Sequence, residues 1–118
     1  MNYGIILIRE KEVSLAVVTD HGELLDEQTL PAGDACDTMF DAADWFFEKE
    51  LVGFSVSVQG VIDTDPSSED YGVITETEMD GWQGYCLLDE LDVYGLPIVF
   101  GAAKTIAEGF MLAKIGNS

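Results

Sequence analysis

Residues 3–8 form an almost unbroken apolar run. Such a run predicts a strand covered on both faces. The charged stretch Arg9-Glu10-Lys11-Glu12 interrupts it, after which Val13, Leu15 and Val17 alternate with Ser14 and Ala16. That alternation predicts a second strand. Asp20-His21-Gly22 supplies a turn, with glycine free to take positive φ. Residues 23–30 read as a third, more polar strand near a sheet edge, so the chain opens on an antiparallel β-meander.

Pro31-Ala32-Gly33 breaks the sheet, and Asp34 has the chemistry of a helix N-cap with Asp37 in the first turn. Cys36, Met39, Phe40, Ala43, Phe46 and Phe47 recur at three- and four-residue spacing. They predict an amphipathic helix reaching Glu50. Asp37, Asp41, Asp44 and Glu48 fall on its other side, as expected of a solvated face. Residues 53–58 predict a further buried strand, and 63–70 a loop. That loop has the acidic content of a calcium site but lacks the central glycine and terminal glutamate at EF-hand spacing. Residues 72–76 predict a short strand, Leu87, Leu88 and Leu91 a short helix, and 97–100 a last apolar strand. A final helix is expected from Ala102 to about Lys114, with Ala103, Ile106, Ala107 and Phe110 inward.

Composition narrows the class. The 118 residues carry 5 Lys+Arg against 23 Asp+Glu, a formal net charge of −18, yet 47% are hydrophobic. A folded core is therefore expected rather than disorder. So few cations cannot form a basic stripe, which argues against nucleic acid and against an anionic membrane surface as partners. No apolar run approaches the roughly 20 residues needed to span a bilayer. The N-terminus lacks the cationic start of a secretion signal, so a cytoplasmic location is expected. Cys36 and Cys86 read as two buried free thiols. One histidine, His21, and no Cys-x-x-Cys pair argue against a transition-metal site.

The element order is three strands, helix, strand, a small excursion, helix, strand, helix. One α/β domain over 1–118 follows, with a mixed five-stranded sheet, a β-meander and flanking helices. This is the order of a ribonuclease-H-like, or actin-like ATPase, half-domain. Several stretches resemble the N-terminal lobe of the ROK family, which comprises bacterial sugar kinases and transcriptional repressors. Gly53-Phe54-Ser55-Val56-Ser57-Val58-Gln59-Gly60-Val61-Ile62-Asp63 resembles the family's Gly-x-x-x-Ser-x-Pro-Gly-x-x-Asp stretch, with Gln59 where proline is usual. Gly81-Trp82-Gln83-Gly84-Tyr85-Cys86-Leu87 resembles its Gly-Trp segment, and Gly95-Leu96-Pro97-Ile98-Val99 the strand before its catalytic motif. Gly4-Ile5 and Asp20-His21-Gly22-Glu23-Leu24 extend the likeness over most of the chain.

The resemblance implies an ATP- and magnesium-dependent sugar kinase, but two motifs depart from it. Where family kinases carry Asp-x-Gly-Gly-Thr, whose glycines admit phosphate, this chain has Ile6, Leu7, Ile8, Arg9 and Glu10. Where they carry Glu-Asn-Asp-Ala, whose Asp is the base toward the sugar hydroxyl, it has Gly101, Ala102, Ala103 and Lys104. The motif of the family's second lobe is absent from these 118 residues. The expectation is a non-catalytic lobe that binds a sugar, regulates or scaffolds, with no catalytic residue, cofactor or metal. The alternatives are a fragment of a genuine kinase and an acidic protein-interaction module.

The candidate sugar-contacting residues are Gly60, Asp80, Gly81, Trp82 and Ala103. Gly60 reads equally as a plain turn glycine. Trp82 has the face to stack on a sugar, but such a ring is more often a core residue. Lys104 is placed to meet an anion at a helix N-terminus, or simply to face solvent. Glu76 and Glu78 share a face but have no visible base or nucleophile as partner. A half-lobe also predicts uncovered apolar surface around Phe110, Met111 and Leu112. Self-association as a homodimer, or pairing with a second lobe, is therefore expected.

Overall fold

In the computed structural model, residues 1–47 and 49–116 are described. Three antiparallel strands come first: β1 (Asn2–Ile8), β2 (Glu12–Thr19) and β3 (Leu24–Pro31). After α1 (Ala35–Trp45), β4 (Gly53–Val58) joins β1 in parallel, and β7 (Ile98–Gly101) joins β4 in parallel. The main sheet thus has five strands in the order β3-β2-β1-β4-β7. It is the mixed sheet of a ribonuclease-H-like half-domain. Between β4 and β7 lie a two-stranded ribbon, β5 (Val61–Ile62) with β6 (Ile74–Glu76), then α2 (Leu88–Leu91) and one 3-10 turn, Asp92–Tyr94. The last element is α3 (Ile106–Gly116).

Alternation along β1 explains its continuous apolar run. Ile6 and Ile8 pack on the α1 side with Leu15, Met39, Phe46, Phe54 and Trp82. Ile5 and Leu7 pack on the α3 side with Tyr3, Ala16, Val18 and Ala113. All four β1 side chains from Ile5 to Ile8 are almost fully buried. Each contributes roughly 1.5–3 kcal/mol relative to exposure. Close approach needs small residues at two points. A Cβ on Gly4 would lie 2.7 Å from the Phe54 ring, which packs edge-on against Phe46 at 5.2 Å. A Cβ on Gly109 would lie 2.5 Å from Cγ2 of Ile5, so Gly109 is where α3 sits down on β1.

The helices correct five expectations. The Asp34 carboxylate caps α1, accepting from the Asp37 N–H at 3.2 Å, but regular helix ends at Trp45. The N–H groups of Phe46 and Phe47 donate to the carbonyls of Ala43 and Asp44, three residues back, and tighten the last turn. Glu48, assigned to the acidic face, lies outside the described residues. The inward face is Ala35, Thr38, Met39, Ala42, Ala43 and Phe46, while Cys36, Phe40 and Phe47 point to solvent. Cys36 is therefore exposed and Cys86 half-buried; both are free, but they are not the two buried thiols expected. The helix expected from Ala102 begins at Ile106. Thr105 Oγ1 accepts from the Glu108 N–H, and the Glu108 carboxylate accepts from the Lys104 N–H. Ala107, expected inward, is exposed, and Gly109 and Ala113 take the inner positions instead.

Candidate ligand cleft

Parallel strands end at a common edge, and ligands of open α/β sheets bind in the crevice outside the carboxyl ends of their strands. Here that crevice is a cavity of about 540 Å³ at the ends of β1, β4 and β7, lined by Leu7, Ile8, Arg9, Val58, Gln59, Gly60, Ala102, Ala103 and Lys104. Its floor is tied together by backbone and side-chain hydrogen bonds. The Gln59 N–H donates to the Ile8 carbonyl at 2.9 Å, and Gln59 Oε1 accepts from the Glu10 N–H at 3.1 Å. Proline at position 59 would supply neither bond. Across the cleft, the Ala103 N–H donates to the buried Ser57 Oγ at 3.0 Å, fixing the loop between β7 and α3.

Arg9 closes one side. Its guanidinium donates to Ser14 Oγ and to the Lys104 carbonyl, each at 2.8 Å, and pairs with Glu12 at 3.7 Å. It straps the end of β1 to the loop before α3, where the resemblance would place a phosphate-admitting glycine. Beyond Gly60 a second cavity, about 560 Å³, is lined by Glu10, Gln59, Gly60, Val61, Glu76, Thr77, Glu78, Met79 and Gln83. Gly60 borders both cavities. Its φ is +152°, and a Cβ there would run into the Glu76 carbonyl oxygen and Thr77. The turn itself therefore requires glycine.

The structure divides the sequence-selected residues. Gly60 and Ala103 meet at the cleft. Asp80, Gly81 and Trp82 do not: Asp80 and Trp82 border a smaller hollow of about 240 Å³ with Glu10, Gly33 and Glu78. Gly81 is exposed at φ +83°. Trp82 is 1% exposed, its Nε1–H donates to the Gly33 carbonyl at 3.0 Å, and its ring meets Tyr85 edge-on. A ring so enclosed offers no face to a sugar, so Trp82 is a core residue. Ile6, aligned with the family's Asp, is likewise in the core, packed on the α1 side and two residues back from the strand end that borders the cleft. Lys104 is exposed and precedes α3 instead of starting it. Glu76 and Glu78 are exposed and share the second cavity with Glu10. Sequence reasoning missed Gln59, Ser57 and Arg9 as the residues that build the cleft; only the proline-to-glutamine departure marked the place.

A magnesium–nucleotide does not fit this lining. None of the cleft residues carries a carboxylate for the metal, and the Arg9 guanidinium is engaged with the Lys104 carbonyl at its edge. Among the described residues, no group of three His, Cys, Asp or Glu side chains is arranged to hold a metal ion. Nor is any described helix long and apolar enough to cross a membrane.

No family model matches the sequence, and no curated protein matches it. Solved structures do. A ROK family protein from Streptococcus pneumoniae TIGR4, in complex with sucrose, superposes with a TM-score of 0.72 at 21% identity, over 86% of this chain and 34% of that one. A ROK family glucokinase from Streptomyces griseus, in complex with glucose and AMPPNP, gives 0.67 at 15% identity, over 86% and 33%. A ROK family transcriptional regulator, homolog of the E. coli MLC protein, gives 0.64 at 14%, over 86% and 27%. This chain spans about a third of the length of these structures. Its fold is that of one lobe of the ROK family sugar kinases and regulators.

Proposed function

We propose that this chain is a carbohydrate-binding ROK-type lobe that does not transfer phosphate, acting as a regulatory or scaffolding domain. The observation that carries the reading is the cleft at the ends of β1, β4 and β7. It is large enough for a mono- or disaccharide, mostly apolar, edged by Gln59 and the backbone at Gly60, and lined by no carboxylate. A base toward a sugar hydroxyl must lie within hydrogen-bond reach of it. Ala103, which lines the cleft at the position aligned with that base, has no group that accepts a proton. Similar structures hold sucrose in one case and glucose in another. Those ligands define the first sugars to try.

The test is a thermal-shift and calorimetric titration with glucose, sucrose and N-acetylated hexosamines, alongside mass spectrometry after incubation with ATP, magnesium and each sugar. The expected result is a sugar-dependent rise in Tm, absent in Ala103→Leu, whose side chain fills the cleft, and no phosphorylated product. At a free sugar concentration tenfold above Kd the stabilisation is about 1.4 kcal/mol. Phosphorylated sugar would overturn the reading in favour of a kinase fragment. No stabilisation by any sugar would remove the carbohydrate-binding role.

A further inference from the structure

Helix α1 has three faces rather than two. Successive residues turn by about 100°. Met39, Ala42 and Phe46 therefore face the core, and Asp37, Asp41 and Asp44 form an acidic face. Between these two lies a third stripe of Cys36, Phe40 and Phe47, all exposed. Phe40 is 60% and Phe47 67% exposed, unusual for rings that bury so much apolar area when covered. They do not stand alone. With Ala43, Asp44, Glu90 and Tyr94 they border a shallow groove of about 210 Å³ between α1 and the α2 segment. The groove is held in shape by the Tyr94 hydroxyl, which donates to the Ala43 carbonyl.

The groove has an apolar floor and acidic walls. Asp44 stands on the α1 side and Glu90 on the other. On the same helix, the Cys36 thiol is pushed up from its ordinary value by partial desolvation and then by Glu90, Asp34, Asp37 and Asp89. No cation lines the groove. The nearest lysine in sequence, Lys49, is paired with Asp26 at 3.1 Å and sits over the Trp45 ring.

We infer that the α1–α2 groove docks a basic amphipathic segment of a partner protein, apolar anchors on Phe40 and Phe47 and cations against the acidic walls. Charge complementarity selects this occupant over a second copy. An identical chain would bring another net charge of −18 and the same acidic rim to the contact. Apolar stripe plus flanking charge is how grooves read amphipathic helices, with anchors one turn or two apart. Phe40 and Phe47, seven residues apart, offer two apolar contacts to such anchors.

The probe is a fluorescein-labelled leucine–lysine amphipathic peptide, read by anisotropy against the full chain. Its scrambled isomer of identical charge and a leucine–glutamate counterpart serve as comparisons. Phe40→Ser/Phe47→Ser removes the anchors from solvent-exposed positions, and circular dichroism verifies its fold. The expected results are saturable binding of the leucine–lysine peptide and a loss of about tenfold or more in affinity in the double variant. The scrambled isomer should bind at least tenfold more weakly, and the glutamate peptide not at all. Equal binding by the double variant, or by the scrambled isomer, would reduce the contact to bulk charge attraction and overturn the inference. Sedimentation velocity showing a wild-type dimer that the double variant abolishes would make a second copy the occupant, and would overturn it equally.

Discussion

The N–H of Ala103 reaches across the sheet edge to the Oγ of Ser57, 3.0 Å away and 1% exposed. One hydroxyl inside β4 thereby fixes the loop that forms a wall of the cleft. Ser57→Ala removes the acceptor and leaves the Ala103 N–H without it. A lost hydrogen bond with a desolvated partner costs about 1–3 kcal/mol. The expected outcome is an unfolding free energy lowered by that amount, read as a lower chemical-denaturation midpoint with unchanged slope, and a sugar-dependent Tm rise smaller than wild type. A variant as stable as wild type would show that the loop is held by other contacts.

Gly109→Ala sets two effects against each other. Alanine in a helix interior is favoured over glycine by about 1 kcal/mol. The new Cβ, however, would stand 2.5 Å from Cγ2 of the fully buried Ile5. A branched methyl locked in a packed sheet cannot swing aside, and overpacking costs about 1–3 kcal/mol. The net expectation is destabilisation, seen as a lower Tm. If the collision is the cause, Gly109→Ala should cost less in an Ile5→Ala background, which lacks Cγ2, than in the wild-type chain. A raised Tm in Gly109→Ala alone would mean that α3 does not approach β1 this closely.

The strands were legible because their evidence is local. Continuous burial of residues 3–8 and alternation in 13–17 map directly onto β1 and β2, and the parallel strands follow from apolar runs bounded by glycine and proline. The helix faces were not. Phe40 and Phe47 share the hydrophobicity of Met39 and Phe46, and a spacing of three or four admits all of them to one stripe. Only the packing of β1 and β4 beneath α1 decides which arc is covered. The start of α3 was legible and overlooked: Thr105-x-x-Glu108 is a helix-start pattern. Of the cleft, Gly60 and Ala103 were found by alignment with a motif. Arg9 reads as a missing glycine, because its bond to the Lys104 carbonyl spans 95 positions and exists only in the fold. For Trp82 the sequence favours a core ring over a sugar platform, and its burial agrees.

Tyr85 provides a prediction about pH. Burial, and then the charges of Glu90, Cys36, Asp89 and Cys86, push its phenol well above the usual tyrosine range, and its hydroxyl has no hydrogen-bond partner among the described residues. Above pH 10 the unfolded chain loses this proton while the folded chain keeps it. Stability attributable to Tyr85 is therefore complete below about pH 10 and falls as pH rises beyond that. Tyr85→Phe removes both the unpaired hydroxyl and the titration. Its stability at pH 7 should equal or exceed wild type, and its alkaline unfolding midpoint should move upward. A loss of stability at pH 7 would reveal a partner for the hydroxyl.

Arg9 tests whether the strap across the cleft serves shape or charge. Its guanidinium spans from Ser14 on β2 to the Lys104 carbonyl, so the side chain couples the meander to the loop before α3. Arg9→Lys keeps the charge but loses the fork that reaches two acceptors at once. Arg9→Gln keeps hydrogen-bonding capacity and loses the charge. Because Arg9 is partly exposed, its ion pair with Glu12 adds little, on the order of 0–1 kcal/mol. If the strap acts through geometry, both variants should lower Tm by a similar few degrees and weaken sugar binding alike, with little dependence on salt. If charge were the working part, Arg9→Lys would behave as wild type and Arg9→Gln would not. The two lone acceptors, Ser14 Oγ and the Lys104 carbonyl, lie 90 positions apart in sequence and are bridged here by one planar group, and that favours the first outcome.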